Sequence, residues 1–454
     1  MKKIYSLTIL LFSLQINAQC WQSIPTVGTH TISIKPNGTL WAWGNNSYNQ
    51  LGNGTNTNES LPIQIGTSSN WQKIANQGEA LHNMAIKTDG TLWACGYNAY
   101  GQLGDGTNTN RTTPIQIGTA NNWNKVAAGG HYTLAIKNDG TLWGWGANNF
   151  GQLGDGTYTN KNVPVQIGTS NNWQSIDVRG RHSVALKTNG TLWTWGRNFY
   201  GQLGDGTTTN KNVPTQIGSD TNWMYISSGA EYSVAIKNNG TLWAWGYNAA
   251  GQLGDDSNIN TNFPIQIGTD TNWQSIDAGN NNLAIKTNGT LWAWGYNAYG
   301  QLGDGTVLNK NIPVQIGTEA NWQSVSVGTG ESLGLKNDST LWAWGYNPYG
   351  QLGDGTTTNK NIPTQINCNT LGLSQELKND FFQIFPNPSN NIINFQKNTN
   401  QPIDYIEIID SSGKKVYEKQ GEIQYVDVQK LDNGIYFIRI TSENKNYTTK
   451  FIKQ

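Results

Sequence analysis

A segment of about fifty residues recurs seven times along this chain of 454 residues, and no other feature restricts its fold so strongly. Each copy contains Leu-Trp-Ala-Trp-Gly or a close variant, together with a Trp-x-x-(Ile/Val) marker. The first marker begins at Leu40, Leu92, Leu142, Leu192, Leu242, Leu291 and Leu341. Three Trp per repeat account for all 20 Trp of the chain once Cys95 is counted at the third site of repeat two. A period of this length indicates a solenoid or a propeller.

Each repeat divides into four short segments with the pattern of β-strands. In the fourth repeat these are 173–177, 183–187, 191–196 and 213–217. The second and third are joined by Asn189-Gly190, a strong signal for a two-residue hairpin turn. Seven four-stranded units are enough to close a ring. The sequence therefore predicts an all-β protein in which residues 19–368 form a seven-bladed β-propeller.

The repeat also carries a family resemblance. The pattern Lys-x-(Asp/Asn)-Gly-Thr-Leu-Trp-x-Trp-Gly-x-Asn-x-x-Gly-Gln-Leu-Gly, present at 137–154 and 187–204, resembles the repeat of the regulator-of-chromosome-condensation superfamily. The resemblance implies a seven-bladed β-propeller. Some members of this superfamily exchange guanine nucleotide on a small GTPase, whereas secreted bacterial members can inhibit enzymes by covering them. One departure from the pattern is Ser339, which replaces the Gly before Thr340.

The N-terminus predicts export. Residues 1–18 have the basic start, the apolar run and the small residue, Ala18, of a signal peptide. Cys20 raises the alternative of a lipid anchor, although Gln19 stands where that signal needs a small residue. Export makes guanine-nucleotide exchange improbable, because an exported chain does not meet an intracellular GTPase. No later stretch is apolar enough to cross a membrane.

The charge balance argues against one class of partner. The 29 Lys and Arg equal the 29 Asp and Glu, so the chain has no net charge to attract nucleic acid. The cysteines suggest how the ring is fastened, since Cys20 precedes the first repeat and Cys368 follows the last. In an oxidising compartment we expect them to form a disulfide, with two free thiols as the alternative. Cys95 is expected to be buried and reduced.

The composition changes after the last repeat. Residues 369–379 are interpreted as a linker, and 380–454 combine charged residues with alternating apolar runs that predict a small immunoglobulin-like β-sandwich. This segment resembles the type A C-terminal sorting domain of type IX secretion systems. The matching motif residues are Pro386, Asn387, Pro388, Gly413, Lys414, Gly434, Tyr436 and Lys450. The resemblance implies translocation across the outer membrane, followed by removal of the tail by the system's sortase or attachment to surface lipopolysaccharide.

The chain contains no recognisable catalytic motif. The four His, at His30, His82, His131 and His182, precede the second strands of repeats one to four, and we interpret them as structural rather than as metal ligands. One Asp per repeat follows Gln-Leu-Gly, at Asp105, Asp155, Asp205, Asp255, Asp304 and Asp354. One carboxylate per blade is too few for calcium, so these are interpreted as turn residues. We predict no enzymatic activity, metal or cofactor.

Positions that differ between repeats are free to recognise a partner. They cluster in the loop between strands one and two and at the start of the loop after strand three, which lie at the same end of a meander. We select Tyr132, Arg181, Glu231, Glu331, Tyr97 and Arg197 as ligand-binding residues. Aromatic and Arg side chains on a rigid scaffold are typical of protein-recognition surfaces. Packing between blades is the alternative for Tyr100, Tyr200, Tyr299 and Tyr349.

These features together predict a secreted or cell-surface, non-catalytic binding protein. It is expected to be a monomer that binds an extracellular protein or glycan through the variable end of the propeller, and to meet the type IX machinery through its tail. One alternative is an exported hydrolase acting on polysaccharide, which would show a pair of acids with perturbed pKa in a deep pocket. The other is a passive surface or adhesion component, which would show no discrete patch.

Overall fold

The computed structural model describes residues 21, 26–77, 80–366, 382–397, 403–410, 414–421, 423–442 and 445–454. The chain divides into two compact units, Met1–Cys368 and Asn369–Gln454. The signal peptide, the linker, Cys20 and Cys368 lie outside the described residues, so their predictions stay as predictions. Among the residues described, no helix is long and apolar enough to span a membrane.

The first unit is a ring of four-stranded blades. The strands of blades one to three are β1 (Thr26–Val27), β2 (His30–Ile34), β3 (Leu40–Gly44) and β4 (Glu59–Gln64); β5 (Trp71–Ile74), β6 (Asn76–Gln77), β7 (His82–Lys87), β8 (Leu92–Gly96) and β9 (Arg111–Gln116); and β10 (Trp123–Ala128), β11 (Tyr132–Lys137), β12 (Leu142–Gly146) and β13 (Lys161–Gln166).

Blades four to seven repeat the same order. Their strands are β14 (Trp173–Arg179), β15 (His182–Lys187), β16 (Leu192–Gly196) and β17 (Lys211–Gln216); β18 (Trp223–Ser228), β19 (Tyr232–Lys237), β20 (Leu242–Gly246) and β21 (Thr261–Ile267); β22 (Trp273–Ala278), β23 (Asn281–Lys286), β24 (Leu291–Gly295) and β25 (Lys310–Gln315); and β26 (Trp322–Val327), β27 (Glu331–Lys336), β28 (Leu341–Gly345) and β29 (Lys360–Ile366).

Each blade is an antiparallel meander of consecutive strands, except that β6 leaves the second blade and pairs in parallel with β10 of the third. The first strand of each blade, called the inner strand below, lies next to the inner strands of its neighbours and lines a central channel. The fourth strand lies outermost and is only partly buried. The predicted all-β, seven-bladed propeller is confirmed.

The hairpin between the second and third strands depends on glycine. Gly190 has a φ of 76°, and its amide donates to the carbonyl of Lys187 at 2.9 Å. A Cβ added to Gly190 would lie 2.1 Å from the carbonyl oxygen of Thr221. Ser339 occupies the same place in blade seven with a φ of 64°, a conformation that strains a residue with a side chain.

A Lys between two Trp rings recurs in every blade. In blade four the Lys187 ammonium lies 4.7 Å from the centre of the Trp173 ring and 4.0 Å from that of Trp193. The same arrangement is formed by Lys35, Lys87, Lys137, Lys237, Lys286 and Lys336. Each contact contributes roughly 0.5–2 kcal/mol and ties the inner strand to the third strand.

Neighbouring blades are joined by hydrogen bonds that repeat around the ring. The indole of Trp195 and the hydroxyl of Ser183 both donate to the Gln152 carbonyl of the preceding blade, at 2.9 and 2.8 Å. The ring closes in the same way, because Thr31 of blade one donates to the Gln351 carbonyl of blade seven at 2.9 Å. The described strands of blade one (β1–β4) and of blade seven (β26–β29) form separate sheets, so closure among them comes from side-by-side packing of the two blades.

Cys95 takes the place of Trp195 in blade two. It is free and buried, and burial raises its pKa to about 12, so the thiol remains protonated. This agrees with the expectation of an inert, apolar residue in a Trp position.

The second unit is a two-sheet β domain. Its strands are β30 (Phe382–Phe385), β31 (Ile392–Lys397), β32 (Tyr405–Asp410), β33 (Lys415–Gln420), β34 (Tyr425–Asp427), β35 (Gly434–Ser442) and β36 (Lys445–Lys453). One sheet has the order β30-β31-β34 and the other β33-β32-β35-β36. Their apolar residues, such as Ile393, Ile408, Ile438 and Phe451, form one shared core. The tail is therefore a β domain, where the sequence predicted a small β-sandwich. The apolar runs of the sequence did not indicate its first two strands, β30 and β31, or its last strand, β36.

Candidate functional site

The two variable loops of each blade meet at one end of the propeller. The residue after the third strand donates its amide to a carbonyl in the loop between the inner and second strands, as in Ala147 to His131 at 2.9 Å and Arg197 to Arg181 at 3.0 Å. The same bond occurs in all seven blades. These paired loops are called the variable face below.

Exposed aromatic and guanidinium groups meet on blades three and four. Arg181 is exposed, and its guanidinium lies 5.2 Å from the centre of the Phe150 ring. The guanidinium of Arg197 lies 4.7 Å from the ring of Phe199, which is 56% exposed. The Phe150 and Phe199 rings are in edge contact at 6.1 Å. These four residues are called the Arg–Phe cluster.

Glu231 fixes one side of this cluster. Its carboxylate forms an ion pair with Arg197 and accepts a hydrogen bond of 2.5 Å from the side-chain amide of Gln202. Both members of the ion pair are partly buried. The structure therefore brings Arg181, Arg197 and Glu231 together on one face, with Glu231 orienting Arg197, and their role in ligand binding stays a prediction.

Tyr97 belongs to a second aromatic group on blades one to three. Its ring centre lies 5.0 Å from that of Tyr48, which is 42% exposed, and 5.7 Å from that of His131. His131 in turn stacks on Tyr100 at 5.0 Å. Tyr97 is half-buried, and burial raises its pKa. The group therefore exposes ring edges along the seam between blades.

Two of the selected residues are in the interior, and for them the prediction of an exposed ligand contact is wrong. Tyr132 is 1% exposed, and its hydroxyl donates to the His182 carbonyl of the next blade at 2.5 Å. Glu331 is fully buried, and burial raises its pKa to about 8. Both residues begin the second strand of their blade. The Tyr132 side chain reaches the next blade, whereas the Glu331 carboxylate lies beside Gly328 and Gly330 of its own blade.

The alternative prediction, packing between blades, is correct in part for the tyrosines that precede the recurring Gly of the loop between the third and fourth strands. Tyr200 contacts Tyr247 of blade five at 4.8 Å, and Tyr299 contacts Tyr346 of blade seven at 4.5 Å. Tyr299 is nevertheless 38% exposed. These rings pack across seams and also present an edge on the variable face.

The histidines at the start of the second strands join neighbouring blades. The Nε2 atoms of His30, His82 and His182 contact Asn83, Thr133 and Ser233, respectively, at 2.9 to 3.0 Å. Burial lowers their pKa to about 4, 3 and 3, so the imidazoles are neutral near pH 7. No group of side chains able to hold a metal is found among the described residues.

The Asp after Gln-Leu-Gly organises its own loop. Asp205 accepts hydrogen bonds from the amide and hydroxyl of Thr207 and from the side chain of Asn198, and it forms an ion pair with Lys211 at 3.3 Å. Asp105, Asp155, Asp304 and Asp354 make equivalent ion pairs. This pattern agrees with the interpretation as turn residues.

The central channel is a candidate site that the sequence reasoning did not select. It holds a cavity of about 650 Å³ lined by inner-strand residues of blades two to seven. Met224 and Tyr225 are 50% and 42% exposed, whereas Asp177 and Arg179, further along the inner strand, are 9% and 3% exposed. The cavity therefore opens at the end opposite the variable face and narrows toward that face.

Acidic groups lie deep in the channel. Asp177 accepts hydrogen bonds of 2.6 and 2.7 Å from the amide and hydroxyl of Ser228, and Asp277 accepts one of 2.7 Å from the Val327 amide. Burial and the neighbouring Asp277 carboxyl raise the pKa of Asp177 to about 6, and burial also raises that of Asp277. The hydroxyl of Ser227 contacts both carboxylates.

A comparison between repeats could have revealed this layer. The residue four positions after the inner-strand Trp is Ala75, Ala127, Asp177, Ser227, Asp277 and Ser326 in blades two to seven. Asp177 and Asp277 are therefore variable residues of the inner strand, whereas the variable residues selected from the sequence were assigned to loops.

The sorting motif residues in the tail pack around the end of the chain. The Asn387 side chain, between Pro386 and Pro388, accepts a hydrogen bond of 3.0 Å from the Ile452 amide. Tyr436 stacks on Phe451 at 5.4 Å, and its hydroxyl donates to the Asp432 carbonyl at 2.9 Å. Gly434 begins β35 and pairs with Lys453, and Lys450 lies in β36. The amide of Lys414 donates to the Asp410 carboxylate at 3.1 Å. Gly413 lies outside the described residues.

Family models match both units. The model described as the regulator of chromosome condensation (RCC1) repeat matches residues 37–76, 89–136, 139–186, 189–236, 239–285, 288–335 and 338–375. The model described as the secretion system C-terminal sorting domain matches residues 383–454. Because the repeat model covers more than half of the chain, this protein belongs to the RCC1 repeat family.

Curated relatives match over short stretches. The ultraviolet-B receptor UVR8 of Arabidopsis thaliana is 35% identical over 88 residues, which are 19% of this chain and 20% of UVR8. The protein RCC2 homolog of Danio rerio is 29% identical over 124 residues, 26% of this chain and 24% of that protein. The human E3 ubiquitin-protein ligase HERC2 is 29% identical over 106 residues, 23% of this chain and 2% of HERC2. The chain thus spans a quarter or less of the length of these relatives.

Solved structures support the fold. Human WBSCR16 superposes with a TM-score of 0.66 at 20% identity, covering 72% of this chain and 94% of that one. Prp20p of Saccharomyces cerevisiae superposes with a TM-score of 0.65 at 20% identity, covering 81% and 90%. The sorting domain implies export by the type IX system to the cell surface or the extracellular space. Together the two units support an exported interaction module.

Proposed function

We propose that this protein is a non-catalytic binder of an extracellular protein and that the variable face is its binding surface. The observation that carries the proposal is the Arg–Phe cluster, in which Phe199 remains 56% exposed beside the Arg197 guanidinium and the Phe150 ring. Aromatic and Arg side chains held on a rigid scaffold supply much of the energy of protein interfaces.

The shape of this surface favours a protein ligand. Aromatic edges occur around the face, from Tyr48 on blade one to Tyr299 on blade six, both of them exposed. The described loops beneath them are linked by backbone hydrogen bonds, so little conformational entropy is lost on binding. A broad surface of separate aromatic patches suits a large, flat partner.

The hydrolase alternative receives less support. Two acids do share the channel, but both oxygens of Asp277 accept hydrogen bonds from the protein itself. Glycoside hydrolysis needs two carboxyl groups that are both available to the substrate. Asp177 and Asp277 therefore fit a structural and binding role better than a catalytic pair.

The test is capture of partners from the protein's extracellular surroundings, comparing the full chain with the Phe199→Ala and Arg181→Ala variants. We expect each variant to bind a captured protein at least tenfold more weakly, because loss of a hot-spot side chain costs about 2 kcal/mol or more. Tyr132→Phe is the matched control, since its buried hydroxyl joins two blades and does not face a partner. Equal affinity of all three variants for every captured protein would refute the proposal.

A further inference from the structure

The channel is layered along the inner strands. Its mouth carries Lys73, Lys125 and Tyr225, two residues after the inner-strand Trp of their blades. Asp177, Ser227 and Asp277 lie two residues deeper, which corresponds to about 6–7 Å along a strand. Lysine ammonium groups thus lie at the mouth on blades two and three, and carboxylates lie deeper on blades four and six. The Arg179 guanidinium, whose charge acts on both Asp177 and Asp277, lies deeper still on blade four.

The floor is formed by a single long side chain. Arg179 extends from blade four and donates to the carbonyls of Val327 and Gly328 in blade seven, at 2.5 and 3.0 Å. The equivalent residues of blades three and five to seven are Gly129, Gly229, Gly279 and Gly328. A Cβ added to Gly279 would lie 2.5 Å from Arg179 Nη1, so a larger residue there would meet the guanidinium. Arg179 thus spans the channel from blade four to blade seven, between the cavity and the variable face.

One carboxylate oxygen is free to bind a ligand. All hydrogen bonds to Asp177 from Ser227 and Ser228 end on its Oδ2 atom. Its Oδ1 atom has no partner among the described residues, although the residue is only 9% exposed and lines the cavity. A carboxylate oxygen that lines a cavity without a protein partner favours a cationic hydrogen-bond donor.

The two lysines at the mouth are held in place but not neutralised. The Lys73 ammonium donates to the backbone and side-chain oxygens of Asn124, each at 2.8 Å, and that of Lys125 donates to the Gln174 carbonyl at 2.7 Å. Neither forms an ion pair with an acid in the described part of the chain. Two fixed ammonium groups at one mouth favour a carboxylate.

We propose that the channel binds a small zwitterion of the size of a short peptide, with its ammonium group on Asp177 and its carboxylate near Lys73 and Lys125. A cavity of about 650 Å³ is within the range of small-molecule sites. The opposite charges lie at different depths, so a ligand that carries both groups at its two ends fits better than an ion of either sign. This site is separate from the variable face and does not depend on the function proposed there.

The test is titration of the full chain with L-alanyl-L-alanine, followed by calorimetry, with N-acetyl-L-alanyl-L-alanine and L-alanyl-L-alanine amide as matched ligands. We expect saturable binding of the free dipeptide. Each blocked ligand should bind about 10–100-fold more weakly, because it loses one charged hydrogen bond. Absence of saturable binding, or equal binding of all three ligands, would overturn the proposal.

Variants assign the two ends of the ligand. Asp177→Asn should weaken the free dipeptide and the amide but leave the N-acetyl ligand unchanged, whereas the double variant Lys73→Met and Lys125→Met should weaken the free dipeptide and the N-acetyl ligand but leave the amide unchanged. Arg181→Ala, on the variable face, should bind all ligands like the unchanged protein. Melting temperatures verify that each variant is folded. If a folded variant bound all three ligands more weakly by the same factor, the assignment of the two ends would be contradicted.

Discussion

Two seams of the ring pack in the same way but differ in their side-chain hydrogen bonds. One lies between blades three and four, and the other closes the ring between blades seven and one. At the interior seam the Trp195 indole and the Ser183 hydroxyl share the Gln152 carbonyl, and the Tyr132 hydroxyl contacts the next blade. At the closing seam the Thr31 hydroxyl makes its equivalent bond. Trp43 Nε1, the counterpart of the Trp195 indole, has no partner among the described residues.

The second irregularity of the closing seam is a carboxyl group. Glu331 occupies the position of Tyr132, and its Oε1 atom is buried without a partner in the described part of the chain. Backbone bonds across this seam remain, from Thr329 to Gly28 at 2.9 Å and from Gly355 to Ser60 at 3.0 Å. Closure therefore depends mainly on packing and backbone contacts, because two side-chain hydrogen bonds seen at the seam between blades three and four have no counterpart at the closing seam in the described residues.

The largest predicted effect separates the two seams directly. Trp195→Ala should lower the free energy of unfolding by about 3–5 kcal/mol, because a buried indole and its hydrogen bond are both lost. Trp43→Ala, the matched variant, should cost about 1 kcal/mol less, since its indole nitrogen makes no bond. Urea unfolding followed by Trp fluorescence measures both. A larger loss for Trp43→Ala would show that the closing seam is the stronger one.

The next prediction concerns pH. The pKa of Glu331 is about 8 in the folded protein against a usual value of 4.5, so the folded state binds the additional proton between these values. The contribution of Glu331 to the free energy of unfolding should therefore decrease as pH rises from 4.5 to 8, by roughly 5 kcal/mol. Below pH 4.5 and above pH 8 its contribution should be constant. The buried His30, His82 and His182, whose pKa values are lowered, contribute in the opposite direction below pH 6.5.

Glu331→Gln isolates this contribution. Asp177 also has a raised pKa, and its contribution to the free energy of unfolding changes in the same direction between pH 3.8 and about 6. The pH profile of the variant is therefore compared with that of the unchanged protein. The free energy of unfolding, measured with denaturant from pH 4 to 9, should differ increasingly between the two proteins above pH 5. The variant should be the more stable protein at high pH. Parallel profiles would exclude Glu331 as the source of the pH dependence.

The smallest effect concerns the hairpin of blade seven. Ser339→Gly should stabilise the protein by about 0.5–1 kcal/mol, since glycine adopts a φ of 64° without strain. Ser47→Gly is the control, because Ser47 is exposed and is not among the residues with positive φ. A rise in melting temperature for Ser339→Gly, with none for Ser47→Gly, is the expected result. No rise for Ser339→Gly would mean that its turn is not strained.

Much of the propeller could be predicted from the repeat alone. A strand ending in Lys187, a turn at Gly190 and a Trp-containing third strand are local patterns with local causes, and the structure places them within one or two residues of the predicted bounds. The position of Arg181 and Arg197 on one face could be predicted for the same reason, because the loops after the first and third strands of a blade emerge at the same end.

Other parts of the candidate sites depended on contacts between blades. Tyr132 and Glu331 vary between repeats just as exposed residues do, but both side chains are buried, because each residue is the first of a second strand that begins one residue before its predicted start. The channel was not predicted because Asp177 and Lys125 are on different blades, and the sequence alone does not show that both line one cavity.

The sequence by itself determined that seven equivalent sheets form, where each strand turns, and that the tail is a separate module, because a repeating pattern of apolar residues, Trp and Gly specifies local pairing wherever it occurs. Only the tertiary structure decided which variable side chains are exposed, how blade seven meets blade one, and that opposite charges face one cavity. Those properties arise from distances between residues about fifty or more positions apart, and such distances exist only once the blades are arranged around a common axis.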